Sequence, residues 1–281
     1  AKLGGSMAVA LITTLYGAVF ANQVGTYYDM DAVDFEQRYH QNAALQRIRQ
    51  SFRQHTKSFE QESILEIGFG PGFDLVHFAE QFPDRKFYGV DISAEMVRLT
   101  QEKIDEMGLE NAWVAQGSVE DITAEFPEVT FDMIYVFFGA LNTVNNLEVA
   151  LSNLRHVLRP TGRMVLTFVN KYYIAGTIIE LLKLKPKFAF ARWKKIWGGY
   201  SPTNFLASRC YRPHTIKKWA KLDCIHSRGY SIFYPAWYYH KFHKLLPKSI
   251  LAGLWELDER IASTPVGKLG EYMMYTFEKS D

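Results

Sequence analysis

The stretch Ser63-Ile64-Leu65-Glu66-Ile67-Gly68-Phe69-Gly70-Pro71-Gly72 runs from a short apolar segment into a glycine-rich turn. The apolar segment has the length of a buried strand. Glycines at alternate positions let the backbone approach a ligand where side chains would otherwise intervene. The residues that follow, Phe73 to Phe82, place Leu75, Phe78, Ala79 and Phe82 on one face at helical spacing. The spacing is Gly-x-Gly-x-Gly. A dinucleotide turn has Gly-x-Gly-x-x-Gly, where the third glycine lets the helix pack closely over a pyrophosphate.

Working outward, the same cadence repeats. Lys86 to Val90 reads as a second strand, with Asp91 at its end. Ser93 is a predicted N-cap for a helix through Met107, with Val97, Thr100, Ile104 and Met107 on one face and Gly108 as its stop. Trp113 to Gln116 and Phe131 to Phe138 are further strands. A helix marked by Leu147, Leu151, Leu154 and Leu158 stops at Arg159-Pro160-Thr161-Gly162, and Arg163 to Val169 is a fifth strand. Upstream, Phe35 to Phe59 is a helical stretch. Alternating strands and helices predict an α/β fold with a parallel sheet covered on both faces. After Asn170 the cadence breaks into helical stretches over Ala175 to Leu184, Lys187 to Trp197 and His214 to Leu222. Two late strands are expected near Gly229 to Tyr234 and Tyr272 to Glu278.

These segments resemble the class I S-adenosylmethionine-dependent methyltransferases, over about Ser63 to Asn170 and with the late strands as the closing antiparallel hairpin. The resemblance implies a doubly wound, mostly parallel, seven-stranded Rossmann-like sheet with a helical insert after strand five, and S-adenosylmethionine as cofactor. Carried over residue by residue, Glu66, Gly68, Phe69, Gly70 and Gly72 would form the turn holding the methionine and ribose. Asp91 would bind the ribose hydroxyls, a plain helix cap being its alternative role, and Ile92 and Met96 would pack on adenine. Ser118 and Val119 fall in the segment Gln116 to Ile122 that reads the adenine edge, with Ser118 where many members have Asp. Phe137 ends the fourth strand, and Phe138 to Asn142 would lie beside the sulfonium.

A methyl sulfonium is already electrophilic, so such an enzyme mainly aligns a nucleophile and excludes water. A general base is needed only for an acceptor that is protonated at working pH. Candidate catalytic residues at the expected mouth of the site are Tyr28, His40, Asn142, Tyr172 and His214. No Cys/His or carboxylate spacing predicts a metal. The expected reaction is methyl transfer to a small, lipid-like or anionic acceptor. A catalytically silent cofactor-binding or membrane-associated scaffold module is the alternative.

Composition bounds the rest. With 281 residues, 48% apolar and 22% charged, the chain is neither a disordered tail nor a disulfide scaffold. Cys210 and Cys224 form no Cys-x-x-Cys pair and suit a reducing, cytoplasmic compartment. The net charge of +2 conceals a polarity: residues 1–170 carry 13 Lys/Arg against 22 Asp/Glu, whereas residues 171–281 carry 19 against 8. Between Leu181 and Leu222 no acid interrupts eleven Lys/Arg, and Trp, Phe and Tyr are interleaved with them. That pattern suits either a solvated face over aromatic core residues or an anionic surface, which would place the protein at the inner face of a membrane. Nucleic acid is not the expected partner, and the sequence does not fix an oligomeric state. Residues 1–28 read as an apolar helix, either an anchor, a helix packed on the domain, or a leader extraneous to the fold. Within it, residues 3–22 also resemble a transmembrane segment of the flagellar stator (MotA-type) channel subunits. Residues 29–281 then form the methyltransferase domain, with 171–225 as a basic, aromatic insert or lid.

Overall fold

The computed structural model describes residues 22–57, 61–198 and 206–280. The expected apolar helix over residues 1–28, and the stator-like stretch within it, lie almost entirely outside the described residues. Described residues 22–40 form the helix α1. Among the described residues no helix is long and apolar enough to cross a membrane.

Seven strands make one sheet: β1 (Ser63–Ile67), β2 (Lys86–Asp91), β3 (Ala112–Gln116), β4 (Phe131–Val136), β5 (Leu158–Val169), β6 (Asp223–Tyr230) and β7 (Tyr272–Glu278). Their spatial order is β3-β2-β1-β4-β5-β7-β6. The first five are parallel, and β7 runs antiparallel to both β5 and β6. Every residue of β1 is buried, as a strand covered on both faces requires. The helices are α2 (Ala43–Lys57), α3 (Phe73–Gln81), α4 (Ala94–Met107), α5 (Ile122–Glu125), α6 (Leu147–Val157), α7 (Ile174–Leu182), α8 (Pro186–Ala189), α9 (Pro213–Ala220), α10 (His240–Leu245) and α11 (Lys248–Ile261).

Two apolar clusters fill the two faces of the sheet. One, around Leu65, Ile134 and Leu166, packs against α6 and α9. The other, around Ile64, Phe78 and Tyr135, packs against α2 and α3. Local chemistry places the boundaries. Ser93 accepts the Met96 N–H at 3.1 Å to start α4, and Gly108 ends it at φ 62°. Asn146 caps α6 by accepting the N–H groups of Glu148 and Val149. Strand order reverses between β1 and β4, and the crevice at their carboxyl ends is where such sheets hold ligands.

Three expectations need correction. The single helix expected over Phe35 to Phe59 is broken, because the Asn42 side chain accepts the Leu45 N–H at 3.1 Å and starts α2 anew. The first late strand lies at Asp223–Tyr230 and not at Gly229 to Tyr234. The carboxylate of Asp258 captures the N–H groups of Ile232, Phe233 and Tyr234 at 2.8, 2.8 and 3.1 Å, so these donors leave the sheet ladder. The helix expected over Lys187 to Trp197 shrinks to α8 and one 3-10 turn at Ala191–Trp193. There Arg192 turns inward to Glu271 at 3.0 Å and to the Asn170 carbonyl at 3.2 Å. α10 and α11 occupy a stretch in which the sequence pattern predicts no helix.

Candidate cofactor and acceptor cavity

At the carboxyl ends of β1, β2 and β4 lies a cavity of about 810 Å³. The glycine turn forms its floor. Gly68 and Gly70 have φ of 69° and 57°, in the left-handed region that favours glycine. A Cβ on Gly70 would meet no atom within 4 Å, so this backbone is open to a ligand, whereas one on Gly68 would meet Ala140 at 2.6 Å. Gly72, at φ 76°, does not line the cavity. Its missing side chain makes room for Thr100, whose Cγ2 would lie 2.6 Å from a Cβ. Gly72 therefore sets how α3 and α4 pack beneath the turn.

Asp91 ends β2 with its carboxylate held by backbone. Gly70 N–H donates to Oδ2 at 2.8 Å and Ser93 N–H to Oδ1 at 3.0 Å. Burial pushes its pKa up to about 6, opposed by the backbone N–H groups of Ser93, Gly70 and Ile92. Each carboxylate oxygen keeps acceptor capacity beyond these bonds. Ile92, Met96, Ser118, Val119 and Phe137 all line the same cavity. Ser118 caps the following 3-10 turn by accepting the Glu120 N–H at 3.2 Å.

Glu66 is 2% exposed and pairs in register with Tyr135 of β4. The Tyr135 hydroxyl donates to its Oε2 at 2.8 Å. Burial, then the neighbouring Asp74, raise the Glu66 pKa well above its usual value. Behind Glu66 stands a buried charge cluster. Asp74, fully buried on α3, is paired with Arg49 and, at 2.6 Å, with Arg53. The Arg49 guanidinium lies 4.7, 5.0 and 4.6 Å from the ring centroids of Tyr39, Phe73 and Phe138. Arg49 lines the cavity, and its Nε is buried without a hydrogen-bond partner.

The cover over the cavity comes mostly from the amino-terminal side. α1 contributes Tyr27, Tyr28, Asp31, Phe35, Arg38 and Tyr39 to the lining. Asp29 fastens α1 to α4 by accepting the Ser93 hydroxyl at 2.6 Å and the Glu95 N–H at 3.1 Å. Of the insert expected as a lid, Trp197, Leu206 and Ser208 reach the lining, joined by Trp237, His240 and Lys244 beyond it.

The five candidate catalytic residues are scattered. Tyr28 lines the cavity, and burial holds its phenol pKa far above the usual value, so it is a donor and not a base at neutral pH. Asn142 lines it too, but its side chain is committed. Nδ2 donates to the carbonyls of Val169 at 3.3 Å and Arg209 at 2.7 Å, and Oδ1 accepts the Val169 N–H at 2.9 Å. Three lie outside the lining. His40 is exposed and packs edge-on to Phe73, Tyr172 packs edge-on to Trp193, and His214 sits in a separate cavity of about 330 Å³ with Lys217, Lys218 and Lys268. Sequence reading missed Arg49, Arg38, Trp237 and Lys244. For Arg49 a signal existed, since Arg49 and Arg53 stand on α2 beside Ile48 and Phe52, cations against the apolar face. Among the described residues no cluster of His, Cys, Asp or Glu could hold a metal.

Residues 64–162 match a family model described as a methyltransferase domain. The uncharacterized methyltransferase YdaC of Bacillus subtilis is 27% identical over 112 residues, 38% of this chain and 55% of that protein. A demethylmenaquinone methyltransferase of Geobacillus sp. is 29% identical over 126 residues, 41% of this chain and 53% of that one. The chain thus spans about half the length of these curated relatives. A solved structure of the [4+2]-cyclase SpnF superposes with a TM-score of 0.62 at 15% identity, covering 92% of this chain and 97% of that one. This last likeness is one of fold alone. None of these matches bears out the stator resemblance of residues 3–22.

Proposed function

We propose, from the premise that residues 64–162 are a class I S-adenosylmethionine-dependent methyltransferase domain, that the chain binds this cofactor in the large cavity and methylates a small, lipid-like acceptor there. The observation that carries the reading is the glycine turn, with Gly70 open to the cavity and its N–H fixed by the Asp91 carboxylate. The residues present fit the cofactor. Asp91 would accept the ribose hydroxyls, Ile92 and Met96 would flank the adenine, and Arg49, a cation in the lining, would take the carboxylate of the methionine moiety.

When bound, the cofactor supplies a methyl group on a positively charged sulfur, ready for attack by a nucleophile. The chain's part is to orient the acceptor and exclude water. Phe35, Tyr39, Phe138, Trp197, Leu206 and Trp237 offer an apolar, aromatic wall for an apolar acceptor, while Arg38 and Lys244 add cations. Arg38 is held to Asp31 at 2.6 Å. The phenols of Tyr27, Tyr28 and Tyr39 are all raised in pKa, chiefly by burial, and serve as hydrogen-bond donors to the acceptor. His240 also lines the cavity and would be the residue to take a proton from a hydroxyl or phenol acceptor. The relative named for demethylmenaquinone supports a lipid-like acceptor.

The test is transfer of label from methyl-tritiated S-adenosylmethionine to panels of quinols, phenols, lipid extract and RNA. Label in an organic-soluble, apolar product supports the reading. Label in RNA alone overturns the acceptor class, and cofactor binding without transfer to any panel favours a silent binding module.

A further inference from the structure

We propose that α7, the turn after it and α8, together with α10, form a surface that docks on an anionic lipid membrane beside the cavity. On α7, Ile174, Ile178, Leu181 and Leu182 recur at positions i, i+4, i+7 and i+8, and all face out, at 37%, 51%, 42% and 79% exposure. Gly176, on the far side of the helix, is its buried residue, and the flank beside the stripe is packed too. Ala175 and Ile179 pack against the cluster of Tyr173, Ala236 and Tyr239. An apolar stripe directed away from the core is the reverse of what a helix on a monomer's surface needs.

The stripe continues past the helix. Leu184 adopts φ 57°, a left-handed conformation that a leucine rarely takes, and is 88% exposed, followed by Phe188 at 63%. Across Tyr239, which Lys183 covers at 4.8 Å and Phe242 meets at 5.8 Å, the surface passes to α10, where Leu245 is 79% exposed. Lysines 183, 185 and 187 alternate with these apolar residues, and Lys241, Lys244 and Lys248 do the same on the α10 side.

Charge selects the occupant. Residues 174–255 hold fifteen Lys/Arg against two acids, Asp223 and Glu180, the latter paired with Lys183 at 2.8 Å. Exposed leucine and phenylalanine between lysines suit the boundary between lipid headgroups and acyl chains. A helix of nine residues is too short to span a bilayer and would lie in that boundary. His240 and Lys244 of α10 also line the large cavity, so the proposed surface adjoins its entrance. An apolar acceptor could pass from the membrane into the cavity without crossing water. That last step rests on the methyl-transfer reading, whereas the docking does not.

The test is cosedimentation of the full chain with vesicles of phosphatidylcholine alone or mixed with phosphatidylglycerol, at low and high salt. S-adenosylhomocysteine binding is measured on the same preparations. Wild type should bind the anionic vesicles and be released by salt. The double variant Leu182→Glu, Leu184→Glu should lose that binding and keep a wild-type melting temperature, both side chains being exposed. The triple variant Lys185→Gln, Lys187→Gln, Lys241→Gln should weaken it by about a hundredfold, taking roughly a factor of five per surface cation. Binding that ignores lipid charge, or no binding, would overturn the proposal. So would a dimer in light scattering that the Leu182→Glu, Leu184→Glu variant dissolves, since the stripe would then belong to a second copy. Vesicle binding without S-adenosylhomocysteine binding would leave the docking surface standing and overturn the cofactor assignment.

Discussion

Replacing Asp91 by asparagine removes one charge and little volume, so it separates ligand recognition from folding. The carboxylate serves two masters: it accepts the backbone N–H groups of Gly70 and Ser93, and it presents its remaining lone pairs to the cavity. Losing a charge-assisted contact to a pair of hydroxyls is worth about 1.5–3 kcal/mol. Cofactor binding should therefore weaken roughly 10- to 150-fold. Stability responds differently. The folded pKa of about 6 stands above the unfolded carboxyl value of 3.8, so ionised Asp91 is a burden on the fold. The sign follows: the group's stabilising contribution is complete below the unfolded value and is lost as pH rises through about 6. Two pKa units correspond to about 3 kcal/mol at neutral pH. The amide relieves that cost but leaves one backbone N–H without its acceptor, a loss of about 1–3 kcal/mol. The two effects nearly cancel, and the melting temperature should move little. The assay is calorimetric titration of both proteins with S-adenosylhomocysteine at neutral pH, and of wild type down to pH 5. Wild-type affinity should fall below about pH 6 as Asp91 takes up a proton, and the asparagine variant should not show that fall. Equal affinity in the two proteins would refute the assignment of Asp91 to the ribose.

Arg49→Met should destabilise the fold by about 3–5 kcal/mol in urea unfolding, because fully buried Asp74 loses one of its two guanidinium partners. Arg49→Lys should fold better than the methionine variant yet bind cofactor more weakly than wild type, since an ammonium lacks the planar fork. Asp258→Ala deprives three backbone N–H groups of their acceptor and should cost about 2–4 kcal/mol, with faster amide exchange at Ile232, Phe233 and Tyr234. His40→Ala, on an exposed side chain outside the cavity, should leave both stability and methyl transfer within about 0.5 kcal/mol of wild type. A large loss of transfer in that variant would restore His40 to the site.

The parts of the fold legible in the sequence are those where local chemistry and tertiary packing agree. β1, α4 and β7 carry unbroken apolar patterns with Ser93 and Gly108 as end signals, and they fall where the pattern predicts. The β6 boundary was illegible because it depends on Asp258, 24 residues after Tyr234, claiming N–H groups that would otherwise continue the strand. The same distinction holds at the site. Glu66, Gly68 and Gly70 stand in one contiguous motif, Asp91 ends the next strand, and all four converge on one cavity. The acceptor side is assembled from α1, α2, the loop at Trp237 and α10, segments with no fixed spacing between them. A lone His or Tyr in such segments carries no signal of where it will point, and His40, Tyr172 and His214 point elsewhere.

On the proposed function, the cavity above the glycine turn takes S-adenosylmethionine. Calorimetric titration of the wild-type chain with S-adenosylmethionine, S-adenosylhomocysteine and NADH in parallel tests it most directly. Saturable, one-to-one binding of the first two with no heat of binding from NADH is the expected result; binding of NADH alone, or of none of the three, would overturn the cofactor assignment.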